Sequence, residues 1–225
     1  MMRNNQTLLL DFDSTIVQVE SLDLLSEITL FGGLESKKKR LEVKELTNLG
    51  MNGVITFQES LQKRLDMIQA SKKDVELLSN KLINLITPSF SENSDWIIKN
   101  SDKVHIFSGG FKEAIIPVAR IFNIPEERVH ANEFIYSKDD KIEGVDTINP
   151  FSRSGGKVER IKELGLSGEI IMVGDGSTDA EVKILGNEFK FIAFIENVRR
   201  DPVLEKADFV AKTFEDVINF ISQTD

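Results

Sequence analysis

The sequence predicts an α/β fold: a mostly parallel sheet sandwiched by helices, with a small helical cap inserted after strand 1. Three observations predict it. Short apolar, β-rich runs alternate with segments of helical periodicity, the pattern of βαβ units. The first such run ends at Asp13 and the next begins only at Val104, with mostly helical patterns between. Loops rich in Asp, Ser and Gly follow directly on three of the runs, where open α/β sheets bind ligands.

In order, strands are expected at TLLLDFD (7–13), VHIFSG (104–109), EIIMVGD (169–175), FKFIAFI (189–195) and ADFVA (207–211). Helices are expected at FKEAIIPVARIF (111–122), GKVERIKELGL (156–166) and the closing FEDVINFIS. FIYSKDDKIEGV (134–145) reads as a hairpin. In the inserted stretch ESLDLLSEITL is amphipathic, Thr56–Glu59 is a capping-box pattern, and Ser71–Asp74 marks another helix start, with breaks at GLESKKK and GMNG. The expected division is a core of 1–17 and 75–225 and a cap of 18–74. A cap after strand 1 sits over the carboxyl end of that strand and acts as a lid.

At 225 residues, 40% hydrophobic and 29% charged, the chain is of ordinary soluble composition. No run approaches the length that spans a bilayer, the opening MMRNNQTLLLDFD carries no apolar signal region, and there are no cysteines, so no disulfide framework or thiolate zinc site exists. The expected address is the cytoplasm. A net charge of −9 disfavours nucleic acid as a partner, and the one basic run, KKKR at 37–40, reads as a solvated helix face. Neither a nucleic acid nor a membrane is expected as a partner; monomer and homodimer both stay open.

Asp11 and Asp13 stand two apart at the end of the first run; on extended backbone their carboxylates point the same way and repel. Ser108-Gly109-Gly110 follows the second run, and Gly174-Asp175-Gly176-Ser177-Thr178-Asp179 the third. A parallel sheet brings these loops to one edge. Four carboxylates gathered there cannot all ionise without a cation, and oxygen-only ligands suit Mg²⁺. Each Asp taken singly also fits a cap or turn. Ser108 with its two glycines, placed at a helix start, forms a phosphate cradle. Lys157 falls in the first turn of a helix, where the dipole disfavours a cation; it either reaches an anion or is a tolerated surface lysine. The chain lacks a dinucleotide fingerprint, a P-loop and a GxSxG elbow. His105 reads as a strand residue and His130 as a loop residue, which leaves no Ser-His-Asp hydrolase.

These residues resemble the haloacid dehalogenase-like superfamily, whose four motifs stand here in order as DFDST, Ser108-Gly, Lys157 and GDGSTD. The resemblance covers nearly the whole chain and implies a Rossmann-like core. Within the superfamily the chain is most similar to the phosphoserine phosphatases. Glu20 lies nine residues after Asp11, and Met51, Phe57 and Arg64 match the family's cap stretch, with Phe57 and Arg64 seven apart and so on one helix face. Thr178 departs from the Asn frequent at its position and is counted with the substrate-binding residues.

The resemblance implies Mg²⁺-dependent hydrolysis of O-phospho-L-serine, the last step of serine biosynthesis. The alternative is a phosphatase or phosphotransferase of this superfamily acting on another small phosphorylated metabolite. Asp11 would be the nucleophile and Asp13 the general acid and base. Mg²⁺ would bind Asp11, Asp175 and the backbone carbonyl of Asp13. Ser108, Gly109 and Lys157 would hold phosphate, and Asp179 would orient the groups around the ion. In the cap, Glu20 would take the ammonium and Arg64 the carboxylate, with Met51 and Phe57 excluding water. From charge alone, Glu20 equally fits a helix N-terminus and Arg64 a surface ion pair.

Overall fold

The computed structural model describes residues 1–223. Its elements run β1 (Gln6–Leu10), α1 (Ser21–Thr29), α2 (Gly33–Met51), α3 (Phe57–Met67), α4 (Lys72–Ile83), α5 (Pro88–Glu92), α6 (Ser94–Lys99), β2 (Val104–Phe111) and α7 (Lys112–Ile121). There follow β3 (Val129–Asn132), β4 (Phe134–Tyr136), β5 (Ile142–Val145), α8 (Gly156–Glu163), β6 (Glu169–Gly174), α9 (Ser177–Ala180), β7 (Phe189–Phe194), α10 (Asp201–Leu204), β8 (Phe209–Ala211) and α11 (Phe214–Gln223).

Among the described residues, six strands form one sheet in the order β3-β2-β1-β6-β7-β8, each neighbouring pair parallel. The chain runs from β1 to one side through β2 and β3, then returns to the other through β6, β7 and β8. The reversal opens a crevice at the carboxyl ends of β1 and β6, the place where such sheets hold ligands. The alternation of side chains along each strand explains the unbroken apolar runs. Leu8 and Leu10 of β1 enter one buried cluster with Ile171, Val173, Ile192 and Phe194, while Leu9 enters another with Ile170, Met172 and Phe191. The closing helix α11 is pinned by Phe214, whose ring packs 4.2 Å from Phe90 and 5.7 Å from Trp96, centroid to centroid.

The insertion is helical as its sequence predicts. Thr56 Oγ1 accepts from the Glu59 amide at 3.1 Å to start α3, and Asp74 accepts from the Ser71 amide at 2.7 Å to start α4. The GMNG break holds, since α2 ends at Met51, but GLESKKK is no break: α2 begins at Gly33, and the chain turns just before it. Lys37, Lys38 and Lys39 are exposed on α2, the solvated face expected of the basic run. The two crossings into the insertion pair with each other through a bridge between Val17 and Ile86, backed by Gln18 N–H to Leu85 O at 2.8 Å and Thr87 N–H to Ile16 O at 2.9 Å. α4 packs on α1 and also on α7 of the core. The hairpin β4–β5 reaches the insertion as well, with Ile142 N–H donating to Ala70 O at 2.9 Å.

Three local expectations are corrected. β1 ends at Leu10, and Asp11 and Asp13 lie in a tight turn that follows it, with Ser14 at φ 54°. Ser108-Gly109-Gly110 is not at a helix start: β2 continues to Phe111 through a register shift, and α7 opens at Lys112. His130 belongs to the edge strand β3, whose four residues are too few and too polar to read as a strand.

That strand stacks His130 on His105 of β2, with His105 Nδ1 3.0 Å from His130 Nε2. Arg128 lies 2.8 Å from the far nitrogen of His105, and Arg160 donates to His130 at 3.3 Å. Burial, then Arg128, lowers His105 to about 4; burial, then His105 and the nearby Arg160, Lys112 and Arg128, lowers His130 to about 3. In the unfolded chain both titrate near 6.5. Between these values the unfolded chain binds more protons at these two sites, so the pair subtracts stability as pH drops below about 6.5. Going from pH 7 to pH 5, the melting temperature of wild type is therefore expected to lose ground to that of His130→Gln. Parallel pH profiles for the two proteins would contradict this assignment.

Candidate active site

Four loops at the carboxyl edge of the sheet supply the site. β1 delivers Asp11, whose amide donates to Val173 O at 2.8 Å and so ties the turn to β6. The left-handed Ser14 is held by its own amide on Val19 O at 3.1 Å and by Asn197 Nδ2 on its carbonyl, also at 3.1 Å. A non-glycine residue adopts that conformation only where surrounding bonds enforce it. The effect is to turn Asp13 back into the crevice, where Ser21 Oγ donates to its Oδ2 at 2.8 Å. β2 delivers Ser108, whose hydroxyl accepts from the Gly110 amide at 2.9 Å. β6 delivers Asp175 and, one turn on, Asp179, which accepts from the Gly176 amide at 2.9 Å. A Cβ at Gly174 would sit 2.3 Å from the Asp179 carboxylate, so that close approach requires glycine.

Lys157, in the first turn of α8, donates to Asp11 at 2.8 Å and also to Asp179. The lysine against the dipole is thus no surface residue; it is buried at 5% exposure between two carboxylates. Burial opposes its charge, but Asp11 and Asp179 outweigh burial and raise its pKa. Burial, with Glu20 next, pushes Asp13 well above the usual carboxylate range, which suits a group that carries a proton to a leaving group. Asp175 is likewise raised, by burial and then by Glu20. Asp179 is pushed up to about 7 by burial and Asp11, against the pull of Lys157.

A cavity under the inserted helices gathers every site residue the sequence predicts except Asp175 and Asp179, which line no part of it. Asp11, Asp13, Ser108, Gly109 and Lys157 come from the sheet edge; Glu20, Met51, Phe57 and Arg64 come from the insertion, and Thr178 from α9. Phe57 presses so closely on Gly109 that a Cβ there would lie 2.5 Å from the ring. Met51 lies against Gly176. The enclosed space is about 20 Å³, room for about one water. A larger groove of about 450 Å³ between α3 and β5 contains none of these residues.

One residue the sequence reading missed is bonded to two of the site's carboxylates. Arg200, in the loop after β7, donates to Asp175 Oδ2 at 3.0 Å and to Glu20 Oε1 at 3.3 Å, joining core to insertion. The sequence could at most place it in the loop after β7, a fourth strand whose carboxyl end reaches the same edge. Asn132 was missed too; it donates to Gly109 O and to Phe151 O, each at 2.9 Å, and fixes the bulged end of β2.

Five carboxyl groups (Asp11, Asp13, Glu20, Asp175, Asp179) and three cations (Arg64, Lys157, Arg200) are buried together. A divalent cation would cancel the excess. Asp11, Asp175 and Asp179 each place an oxygen within 4.8 Å of the others. Asp175 Oδ1 is buried and has no hydrogen-bond partner among the described residues, whereas both oxygens of Asp179 are engaged. An all-oxygen donor set with one such atom fits a hard divalent ion.

Residues 8–182 match the model of the haloacid dehalogenase-like hydrolases. The chain belongs to that family. This hydrolase is 32% identical over 216 residues to the phosphoserine phosphatase of Bos taurus, covering 95% of this chain and 92% of that protein. It is 33% identical over 220 residues to the chloroplastic phosphoserine phosphatase of Arabidopsis thaliana, covering 96% of this chain and 72% of that protein. Among solved structures, a phosphoserine phosphohydrolase-like protein from Francisella tularensis superposes with a TM-score of 0.86 at 34% identity, covering 96% of this chain and 99% of that one. The parallel six-stranded sheet flanked by helices is the Rossmann-like fold of that family. Among the described residues no helix is long and apolar enough to cross a membrane.

Proposed function

We propose that this hydrolase cleaves O-phospho-L-serine to L-serine and phosphate through an aspartyl-phosphate on Asp11. One observation carries the substrate: in the cavity that holds Asp11, the buried guanidinium of Arg64 has no carboxylate within ion-pair distance among the described residues. A buried guanidinium with no direct carboxylate partner keeps a donor edge free, and a ligand carboxylate would complete it. Glu20 in the same cavity has a buried Oε2 with no hydrogen-bond partner among the described residues, an acceptor for an ammonium. A carboxylate acceptor and a cation lining one cavity would read a zwitterion. The names of the curated relatives agree with that reading.

Phosphate monoesters repel an attacking anion, so their oxygens must be neutralised first. Lys157 supplies one positive charge, and Ser108 and the Gly109 amide lie where they can hold phosphate oxygens. A Mg²⁺ ion held by Asp11, Asp175 and the Asp13 carbonyl would supply the remaining charge, with Asp179 orienting its ligands. Asp11 attacks phosphorus and the bond to the serine oxygen breaks, while Asp13 gives that oxygen its proton. Asp13 then takes a proton from water, which attacks phosphorus and frees Asp11. Phe57 and Met51 close the cavity against bulk water during transfer. Residues 18–74 would move as the lid on 1–17 and 75–225.

With Mg²⁺ supplied, phosphoserine is expected to be hydrolysed far faster than phosphothreonine, phosphocholine or sugar phosphates, and a chelator to stop the reaction. Comparable rates across that panel would refute the substrate and leave the phosphatase.

A further inference from the structure

We propose that Thr47 and Asp23 are positioning residues that hold the Arg64 guanidinium aimed into the cavity while leaving one edge of it unspent. The proposal rests on the reading of Arg64 as the carboxylate-binding group. Arg64 on α3 spends two donors within the protein: Nε on Ser60 O at 3.3 Å and one terminal nitrogen on Thr47 Oγ1 at 3.1 Å. Its other terminal nitrogen has no hydrogen-bond partner among the described residues.

Thr47 is buried on α2, at 1% exposure. A helical threonine ordinarily satisfies its hydroxyl on the carbonyl four residues back. That carbonyl, Val43 O, is 3.1 Å away, but Asp23 Oδ1 is nearer at 2.6 Å. Since the hydroxyl accepts from Arg64 and has one proton to give, the shorter contact makes it a relay from guanidinium to carboxylate. Three helices of the insertion are thereby tied at one point.

The spacer matters because a direct Asp23–Arg64 pair would be a fork-to-fork match that consumes the guanidinium. With the hydroxyl between them, Asp23 orients the cation without capping it. Asp23 lies in the first turn of α1 and Glu20 stands at the N-cap of that helix, close enough for the charge of Asp23 to act on Glu20. Through Asp23 and Thr47, the start of α1 that carries Glu20 is linked to Arg64 on α3.

The test is Thr47→Val, which keeps the shape and removes the hydroxyl, beside Thr47→Ser, which keeps it. Thr47→Val is expected to raise KM for phosphoserine about tenfold. It should leave kcat, and all turnover of an aryl phosphate lacking the amino acid, near wild type. Thr47→Ser should restore KM, and Asp23→Ala should behave as Thr47→Val does. Equal loss on both substrates, no change on either, or failure of serine to rescue would overturn the relay. Arg64→Ala separates the two levels. If it shifts the ratio between the substrates and Thr47→Val does not, the relay is wrong; if it shifts nothing, the reading beneath it is wrong.

Discussion

Asp11→Asn is expected to abolish turnover while leaving the chain folded. The substitution is isosteric, and the amide oxygen still accepts from Lys157, which keeps Asp179 as its charged partner. The backbone bond from residue 11 to Val173 is untouched. What is lost is the nucleophile and one negative charge from the crowded set. Removing a nucleophile from a group of residues that act together costs about 10⁴–10⁶ in kcat. The melting temperature should hold or rise, because one fewer carboxylate is buried beside Asp179. Activity within about tenfold of wild type would take Asp11 out of the role, since loss of a nucleophile is far more costly than that.

Arg64→Ala should produce the second largest effect and the most selective one. With its partner cation gone, a substrate carboxylate would be buried unpaired, which costs several kcal/mol, or about 10²–10³ in kcat/KM for phosphoserine. An aryl phosphate has no such group and should be turned over at nearly the wild-type rate. The variant also empties a buried cation from α3, leaving Thr47 to Asp23 alone. Stability and specificity are therefore measured side by side. A parallel drop on both substrates would mean that Arg64 supports the lid and does not read the substrate.

The strands that form the middle of the sheet were legible because both faces are buried. That requirement writes β1, β6 and β7 as unbroken apolar runs, and the loops leaving β1, β2 and β6 held the candidate site residues. Edge strand β3 was not legible, since VHAN owes its conformation to pairing with β2. Nor could the sequence show that the backbone leaves the strand before Asp11. That turn depends on Asn197, 183 residues from Ser14, whose side chain clamps the Ser14 carbonyl. Lys157 was singled out by a local conflict, a cation at the wrong end of a helix, and the fold sets it between two carboxylates. Arg200 offers no such conflict, and its role is visible only once Asp175 and Glu20 are brought to it by the fold. Similarly, Thr47 is an ordinary helical threonine until α1 and α3 pack on either side of it.

The most direct test is rapid quenching of the enzyme during turnover of phosphoserine with Mg²⁺, followed by peptide mapping. One phosphoryl group should be found on Asp11 as a hydroxylamine-sensitive acyl phosphate, formed and discharged at rates consistent with kcat. Steady turnover with no such adduct, or the adduct on another residue, would contradict the account.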